Sequence, residues 1–180
     1  MEDFLIDRIS KMDYPTKESI AGVGLLALGV SFEWLSGASS EMQKEISNWR
    51  DGLVFSIGVL PDGPAVTLEK KRGRIVYLGR GFHDPELGIY FKNMDSGLLV
   101  FLGLMGAHTA AVQRRTIIHG NVVEAVRVVR AMNVVQKYLF PGFVVNRTFK
   151  RAPEFGFTDY IIKGMTYAGL LPNMLLKWNR

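Results

Sequence analysis

The chain has 180 residues, of which 48% are hydrophobic and 22% are charged. This length and composition predict a single domain with ample apolar material for a core, and they exclude a disordered acidic protein. The charge is uneven: residues 1–90 carry 13 Asp/Glu and 10 Lys/Arg, whereas residues 91–180 carry 4 Asp/Glu and 12 Lys/Arg. The absence of cysteine excludes disulfides, thiolate metal ligands and a cysteine nucleophile.

The N-terminus and the apolar runs indicate whether the chain carries a secretory signal or a membrane-spanning helix. Glu2, Asp3 and Asp7 stand where a secretory signal would carry lysine or arginine, so we expect a cytoplasmic protein. The two most apolar runs, residues 20–32 and 98–107, are shorter than the ~20 residues that a membrane-spanning helix needs. We therefore expect both runs to form buried helices.

The first 50 residues predict helices over 4–12, 19–35 and 41–49, with Ser40 as the N-cap of the third. The run Gly22-Val23-Gly24 has the letters of a dinucleotide-binding fingerprint. However, that fingerprint requires a buried strand to deliver the glycines, and the residues before Gly22 are polar. Close helix packing at small residues is the favoured interpretation.

From residue 53 the apolar residues alternate, which predicts strands over 53–60, 65–69 and 75–78. Two further strands are predicted over 87–91 and 116–118. Between these two strands, Asp95 is expected to cap an apolar helix over 96–104. The sequence therefore indicates one sheet of five short strands, which begins as an antiparallel meander.

The C-terminal part predicts two helices. Asn121 can cap a helix over 122–139 whose polar residues form one narrow stripe: Glu124, Arg127, Arg130 and Lys137. Because the apolar stripe of a surface helix is usually only a little over ~100° wide, we expect this helix to be covered on most of its circumference. A last helix is predicted over 159–171, ended by Pro172, in a tail rich in aromatic and basic residues.

Motifs for chemistry are scarce. The three histidines stand singly in different segments, and no Walker loop or Gly-x-Ser-x-Gly motif is present, so we expect no metal and no cofactor. His83, Asp84 and Glu86 share a loop and are the one candidate for an enzyme acting on a hydrophobic substrate. Basic clusters at 70–74, 114–115 and 150–151 are not interleaved with aromatic residues, so nucleic acid is not an expected partner.

The order of motifs resembles the sterol carrier protein type 2 family. The resemblance is carried by Trp49-Arg50-Asp51-Gly52 before the first strand, a Pro-Asp-Gly turn after it, Asp84-Pro85-Glu86-Leu87-Gly88-Ile89 before the apolar helix, and Ile117-Ile118-His119-Gly120-Asn121 before the long helix. It spans residues 41–140, a sterol-carrier-like core. Residues 1–40 are then an N-terminal helical extension, and residues 141–180 are an aromatic and basic C-terminal extension of the same domain.

This resemblance implies an α/β (α+β) fold, with a five-stranded, mostly antiparallel sheet covered on one face by helices. It also implies an apolar tunnel between sheet and helices that binds sterols, fatty acids, phospholipids or acyl-CoA, without catalysis and without a metal or cofactor. Extra N-terminal helices and a helical C-terminal extension would be added to this common core.

The leading hypothesis is therefore non-catalytic binding or transfer of a lipid or other hydrophobic ligand. The predicted lining residues are Phe91, Leu98, Phe101, Leu102, Met105, Val126, Val129, Met132 and Val135, with Arg114 and Arg115 near a head group. The basic second half of the chain favours peripheral contact with an anionic membrane. The alternative is a homodimeric accessory subunit, in which the apolar surface is an interface between two copies.

Overall fold

The computed structural model describes residues 2–142, 144–145 and 156–177. Part of the predicted aromatic and basic C-terminal extension, at 143, 146–155 and 178–180, lies outside these residues. The basic cluster at 150–151 also lies outside the described residues.

Three helices open the chain: α1 (Glu2–Lys11), α2 (Tyr14–Ala38) and α3 (Ser40–Ile46). α2 begins earlier than predicted because the Asp13 side chain accepts the Thr16 N–H and Pro15 occupies the first turn, where no N–H is needed. The predicted cap of α3 was wrong by one residue. Ser39, and not Ser40, accepts the Met42 N–H with its hydroxyl.

The sheet comprises five strands: β1 (Val54–Val59), β2 (Ala65–Lys71), β3 (Arg74–Arg80), β4 (Leu87–Phe91) and β5 (Thr116–His119). Their order across the sheet is β3-β2-β1-β4-β5. β1 and β4 are parallel, and the other neighbouring pairs are antiparallel. The predicted five-stranded, mostly antiparallel sheet is thus confirmed. β2, β3 and the loop after them form the long connection that a parallel pair requires.

The remaining helices are α4 (Met94–Phe101), α5 (Ala107–Val112), α6 (Val122–Leu139) and α7 (Phe157–Lys177). α6 has the predicted bounds, and the Asn121 side chain accepts the N–H groups of Val123 and Glu124. α4 begins before the predicted cap Asp95, because the Asn93 side chain accepts the Ser96 N–H. α5 was not predicted.

α7 continues through Pro172, where the sequence predicted its end. A proline inside a helix removes one hydrogen bond to the carbonyl four residues earlier, here that of Ala168. Ala168 and Pro172 are both exposed, so water can replace the lost bond. The helix therefore tolerates Pro172 and reaches Lys177.

One face of the sheet carries the core beneath α2, α4 and α6. The buried strand residues on this face include Phe55, Ile57, Leu68, Ile89 and Phe91. Phe32 of α2 packs edge-on against Phe55 with ring centroids 5.9 Å apart, and Trp49 does so at 5.7 Å. On the opposite face, the loop after β3 covers part of the sheet, since the Phe82 ring lies 5.3 Å from that of Tyr90.

The expected burial of α6 on most of its circumference holds from Ala131 to Leu139, where no residue is exposed, but not in the first turns of the helix. Val122, Val123 and Val126 are exposed, whereas the polar Gln136 and Lys137 are buried. Gln136 can be buried because its side chain accepts the Ala107 N–H and donates to the Val100 carbonyl. Hydrogen bonding to neighbouring backbone therefore allows a polar side chain on the buried side of α6, beside the apolar Ala131, Met132 and Val135.

A partly buried polar cluster joins α7 to α3 and α6. Lys137 Nζ lies 2.8 Å from Glu41 Oε2 and 3.8 Å from Asp159 Oδ2, and the Tyr138 hydroxyl donates to Asp159. Burial and the neighbouring carboxylates raise the pKa of Tyr138, so its hydroxyl remains a donor over the physiological range. We call these four residues the α7 clasp.

The contact between α2 and β3 yields a stability prediction. A Cβ added at Gly29 would lie 2.9 Å from two ring carbons of Tyr77, whereas one added at Gly22 would meet nothing nearer than 3.7 Å. Both substitutions to alanine gain the same helix propensity, and only Gly29→Ala overpacks the core. We expect Gly29→Ala to be about 1–3 kcal/mol less stable than Gly22→Ala in urea denaturation. Equal stability would contradict the close contact.

The α7 clasp yields a pH prediction. Burial opposes ionisation of Asp159, but donation by Tyr138 and by the Gly156 N–H, together with Lys137, holds its pKa below the ordinary value. A depressed folded-state pKa stabilises the protein above the unfolded-state pKa, and this stabilisation is lost as the pH falls through the folded-state value.

We therefore expect Asp159→Asn to cost about 1 kcal/mol at neutral pH and to flatten the loss of stability below about pH 4. The measurement is the free energy of unfolding between neutral and acid pH. Asp62→Asn, at an exposed turn position, is the matched control. If both variants show the same pH dependence, the clasp does not hold α7.

Candidate functional site

The predicted tunnel residues fall into two groups. Five of them are buried between the sheet and the helices: Phe91, Leu98, Phe101, Met132 and Val135. Phe91 and Phe101 contact each other edge-on, with ring centroids 5.2 Å apart. The members of this group pack against other core side chains, and their role in lining a tunnel stays a prediction.

The second group lies nearer the surface. Met105 and Val129 are partly buried, whereas Leu102 and Val126 are exposed. Arg114 is exposed and has a left-handed backbone with φ +56°. Arg115 donates from Nε to the Gln113 side chain at 2.9 Å. The structure does not bring these two arginines to the clefts described next.

Three adjoining clefts lie at the surface around α2 and α4, and α2 lines two of them. The first, of about 810 Å³, lies between the start of α2, the β1–β2 turn and the end of β3. The second, of about 420 Å³, lies between α2 and α4. The third, of about 300 Å³, lies between α1 and the end of α4. Ser19 and Val23 line the first and second clefts, and Leu102 lines the second and third.

We call this set of clefts the α2 groove. The lining of its middle and far parts comprises Ser19, Ile20, Val23, Gly24, Ala27, Phe101, Leu102, Leu104, Ile9, Met12 and Arg8. Charged side chains line the ends, with Glu18, Asp62 and Arg80 in the first cleft and Arg8 in the third. An apolar middle with few polar groups is typical of sites for small hydrophobic ligands.

The floor of the groove depends on a close approach of two helices. A Cβ added at Gly24 would lie 2.8 Å from the Cβ of Phe101, so a glycine is needed where α2 crosses α4. This confirms the prediction of close helix packing for Gly24, whereas a Cβ added at Gly22 would meet only Arg80 and Pro64, at 3.7 and 3.9 Å. Both glycines lie inside α2, with no strand before them, so the geometry of a dinucleotide site is not formed.

The sequence did not predict the groove residues of α1 and α2. Ile20 and Val23 belong to an apolar run that predicts a buried helix, and Ile9 belongs to a predicted helix over 4–12; part of α2 is indeed buried, and so is Ile9. A helix that is apolar on all sides gives no sign of which side is covered. The available signal was this lack of amphipathicity, which indicates that α2 contacts apolar material on more than one side.

The loop that carried the enzyme hypothesis has separate structural contacts. His83 Nε2 lies 2.8 Å from the Arg80 carbonyl oxygen, and Glu86 pairs with Arg50 at 2.7 Å. Asp84 occupies a turn with φ +45°. The structure therefore places His83, Asp84 and Glu86 in one loop but does not assemble them into one site.

Two further features are the arrangement of possible metal ligands and the length of the apolar helices. Within the described ranges, no group of three or more His, Asp or Glu side chains is placed to hold a metal ion. One described helix, α2, is long and apolar enough to cross a membrane, and 61% of its apolar window is buried inside the protein. The prediction that residues 20–32 form a buried helix is confirmed by the burial of Leu25, Leu26 and Phe32.

The architecture defines an α/β protein with a five-stranded, mostly antiparallel sheet, helices on one face, and helical extensions at both ends. No protein-family model matches the chain, and no curated protein sequence matches it significantly. Solved structures do show similarity in fold to it.

A conserved hypothetical protein of Thermus thermophilus, described as a possible sterol carrier protein, has a TM-score of 0.49 and 16% identity, over 71% of this chain and 90% of that one. The palmitated sterol carrier protein 2-like 2 of Aedes aegypti has a TM-score of 0.41 and 15% identity, over 59% of this chain and 91% of that one. The apo sterol carrier protein 2 of Yarrowia lipolytica has a TM-score of 0.41 and 14% identity, over 61% of this chain and 88% of that one. These names belong to the family that the motifs in residues 41–140 resemble.

The absence of cysteine allows a direct test of the two groups of lining residues. Leu102 is 41% exposed in the groove, whereas Leu98, one turn earlier, is 0% exposed. We expect a cysteine at 102 to react with a maleimide within minutes, and a cysteine at 98 to react only under denaturing conditions. Equal labelling rates for Leu102→Cys and Leu98→Cys would contradict the arrangement.

Proposed function

We propose that this protein binds or transfers a lipid or another hydrophobic ligand, such as a fatty acid, an acyl-CoA or a sterol-like molecule, and does not catalyse a reaction on it. The observation that carries the proposal is the α2 groove, in which Leu102 joins two clefts of about 420 and 300 Å³. Ligand sites are commonly about 300–1,000 Å³ in volume and mostly apolar. A cytoplasmic location is part of the same proposal.

The free energy of binding would come from the apolar part of the ligand. Transfer of an acyl chain from water is favourable by about 0.8 kcal/mol per methylene, and it requires no charged partner. The charged side chains at the ends of the groove, such as Arg8 and Glu18, lie where a polar head group would be solvated. The arrangement suits a ligand with a long apolar body and a polar end.

The groove and the predicted tunnel share one side chain, Phe101. Its outer side lines the cleft between α2 and α4, and its inner side contacts Phe91 of the core. Leu98, Met132 and Val135 beyond it are completely buried against their neighbours. A ligand in the tunnel would have to displace these side chains, whereas the groove has room without rearrangement. We therefore place the ligand first in the groove, and the tunnel stays a prediction.

The test measures displacement of a fluorescent fatty acid. We expect Leu102→Asp to weaken binding at least tenfold, which corresponds to about 1.4 kcal/mol, because a carboxylate would be desolvated where the two clefts meet. Val112→Asp is the matched control, since Val112 is an exposed apolar residue of α5 outside the groove. A similar loss in both variants would contradict the groove as the site.

The behaviour of the wild-type protein tests whether the chain binds lipid at all. If the wild-type protein shows no saturable displacement, and native mass spectrometry finds no co-purified lipid, lipid binding is wrong. If binding is saturable but insensitive to Leu102→Asp, the ligand occupies the tunnel instead. The two results are distinguishable because only the first removes binding altogether.

A second candidate function is a homodimeric accessory subunit. The observation that favours it is a set of exposed apolar residues on α5, β5 and the start of α6: Val112, Ile117, Val122, Val123 and Val126. Exposed apolar surface of this kind is typical of protein interfaces. Light scattering that gives a mass of 20.2 kDa would contradict this candidate.

A further inference from the structure

The outer surface of α7 is apolar along its length. All exposed residues in the described part of 156–177 are uncharged: Gly156, Thr158, Tyr160, Ile161, Gly164, Met165, Tyr167, Ala168, Pro172, Leu175 and Leu176. Leu175 and Leu176 are each 76% exposed. Ile161, Met165, Ala168, Pro172 and Leu175 follow one another at alternating spacings of four and three, so they lie on one face of the helix. We call this the α7 outer face.

The charged residues of α7 lie on the opposite side and hold the helix to the protein. Asp159 belongs to the α7 clasp, and Lys163 is buried and donates to the Lys137 carbonyl at 3.0 Å. Lys177 pairs with Glu33 and lies over the Tyr77 ring at 5.5 Å from its centroid. A surface helix usually shows the reverse arrangement, with charges in water and apolar residues inward.

The sequence around α7 indicates which partner would cover the α7 outer face. Residues 141–180 contain six Lys/Arg and two Asp/Glu, and basic residues both precede the helix, at Lys150 and Arg151, and follow it, at Arg180. Such a segment is attracted to a negatively charged lipid surface. Tyr160 and Tyr167 are exposed beside the apolar face, and tyrosine is enriched at the boundary between lipid and water.

A second copy of the chain is a less favourable occupant. A two-fold contact through the α7 outer face would bring together two segments that each carry a net charge of +4. An anionic membrane would neutralise the same charge. The combination of an uncharged face and basic flanks therefore selects a lipid surface over a self-contact.

We propose that the α7 outer face lies flat on the surface of an anionic membrane, with its apolar side chains among the lipid head groups, while the α7 clasp keeps the helix attached to the folded domain. This inference stands on α7 alone. Its failure would leave the α2 groove and lipid binding there unaffected, because no α7 residue lines the described clefts.

The first experiment is co-sedimentation with vesicles of phosphatidylcholine containing about 30% phosphatidylserine. We expect the wild-type chain to bind these vesicles, to bind pure phosphatidylcholine more weakly, and to be released in part by added salt. The double variant Met165→Glu and Leu175→Glu should partition at least tenfold less. Val112→Glu and Val123→Glu, which change exposed apolar residues elsewhere, should bind as the wild type does.

Both glutamates replace exposed side chains, so urea denaturation is expected to show a fold as stable as that of the wild type. Absence of wild-type binding to the anionic vesicles would overturn the proposal, as would equal loss in the two double variants. A wild-type dimer that becomes a monomer only in the α7 variant, without vesicle binding, would overturn it in favour of a self-contact.

A second measurement uses single cysteines in a chain that has none. Leu175→Cys carrying an environment-sensitive fluorophore should shift its emission to the blue on addition of the anionic vesicles, because the label enters the lipid interface. The same label on Val112→Cys should not shift. Equal shifts at both positions would show that α7 is not the docking surface.

Discussion

The packing of Phe32 of α2 against Phe55 of β1 fixes the helix on which the other layers rest. α2 also contacts β2, β3, α4, α6 and α7. The Ser36 hydroxyl accepts the Ile75 N–H at 3.0 Å, so a hydrogen bond as well as apolar contact ties the helix to the sheet. Because the same helix lines two of the three clefts of the α2 groove, the candidate site exists only while α2 lies on the sheet.

Buried charges and exposed apolar residues have related roles in this molecule. Lys137 and Lys163 are buried because carboxylates or backbone carbonyls satisfy them, and their contacts attach α7 to the domain. Together with the packing of Ile162, Leu170 and Met174 against the core, these polar contacts leave the remaining apolar side of α7 facing outward. The proposed ligand site and the proposed membrane surface thus use different elements, α2 with α4 in one case and α7 in the other. They can therefore be tested independently.

The sequence predicted those features that neighbouring residues determine, such as a helix cap, and it did not predict those that depend on contacts with distant parts of the chain. Asn121 caps α6, so the bounds of that helix were correct. α5 has only six residues, and its N-cap is Gly106, which has no side chain to accept a hydrogen bond, so nothing local marked it. The exposure of Val122 and the continuation of α7 past Pro172 depend on which neighbours pack nearby, which periodicity does not reveal. The groove escaped prediction for the same reason, since Leu102 gains its role from the distant α1 and α2.

The position of α2 in the chain has a consequence for synthesis. Its partners are encoded later, from β2 and β3 to α7 at 157–177, so a nascent chain presents this helix before its covering layers have been translated. Contacts between residues so far apart in sequence form slowly. During that interval a 25-residue segment with the length and composition of a membrane span is uncovered. The apolar sides of α2 that the later elements cover in the folded protein are therefore exposed to solvent until those elements have been translated.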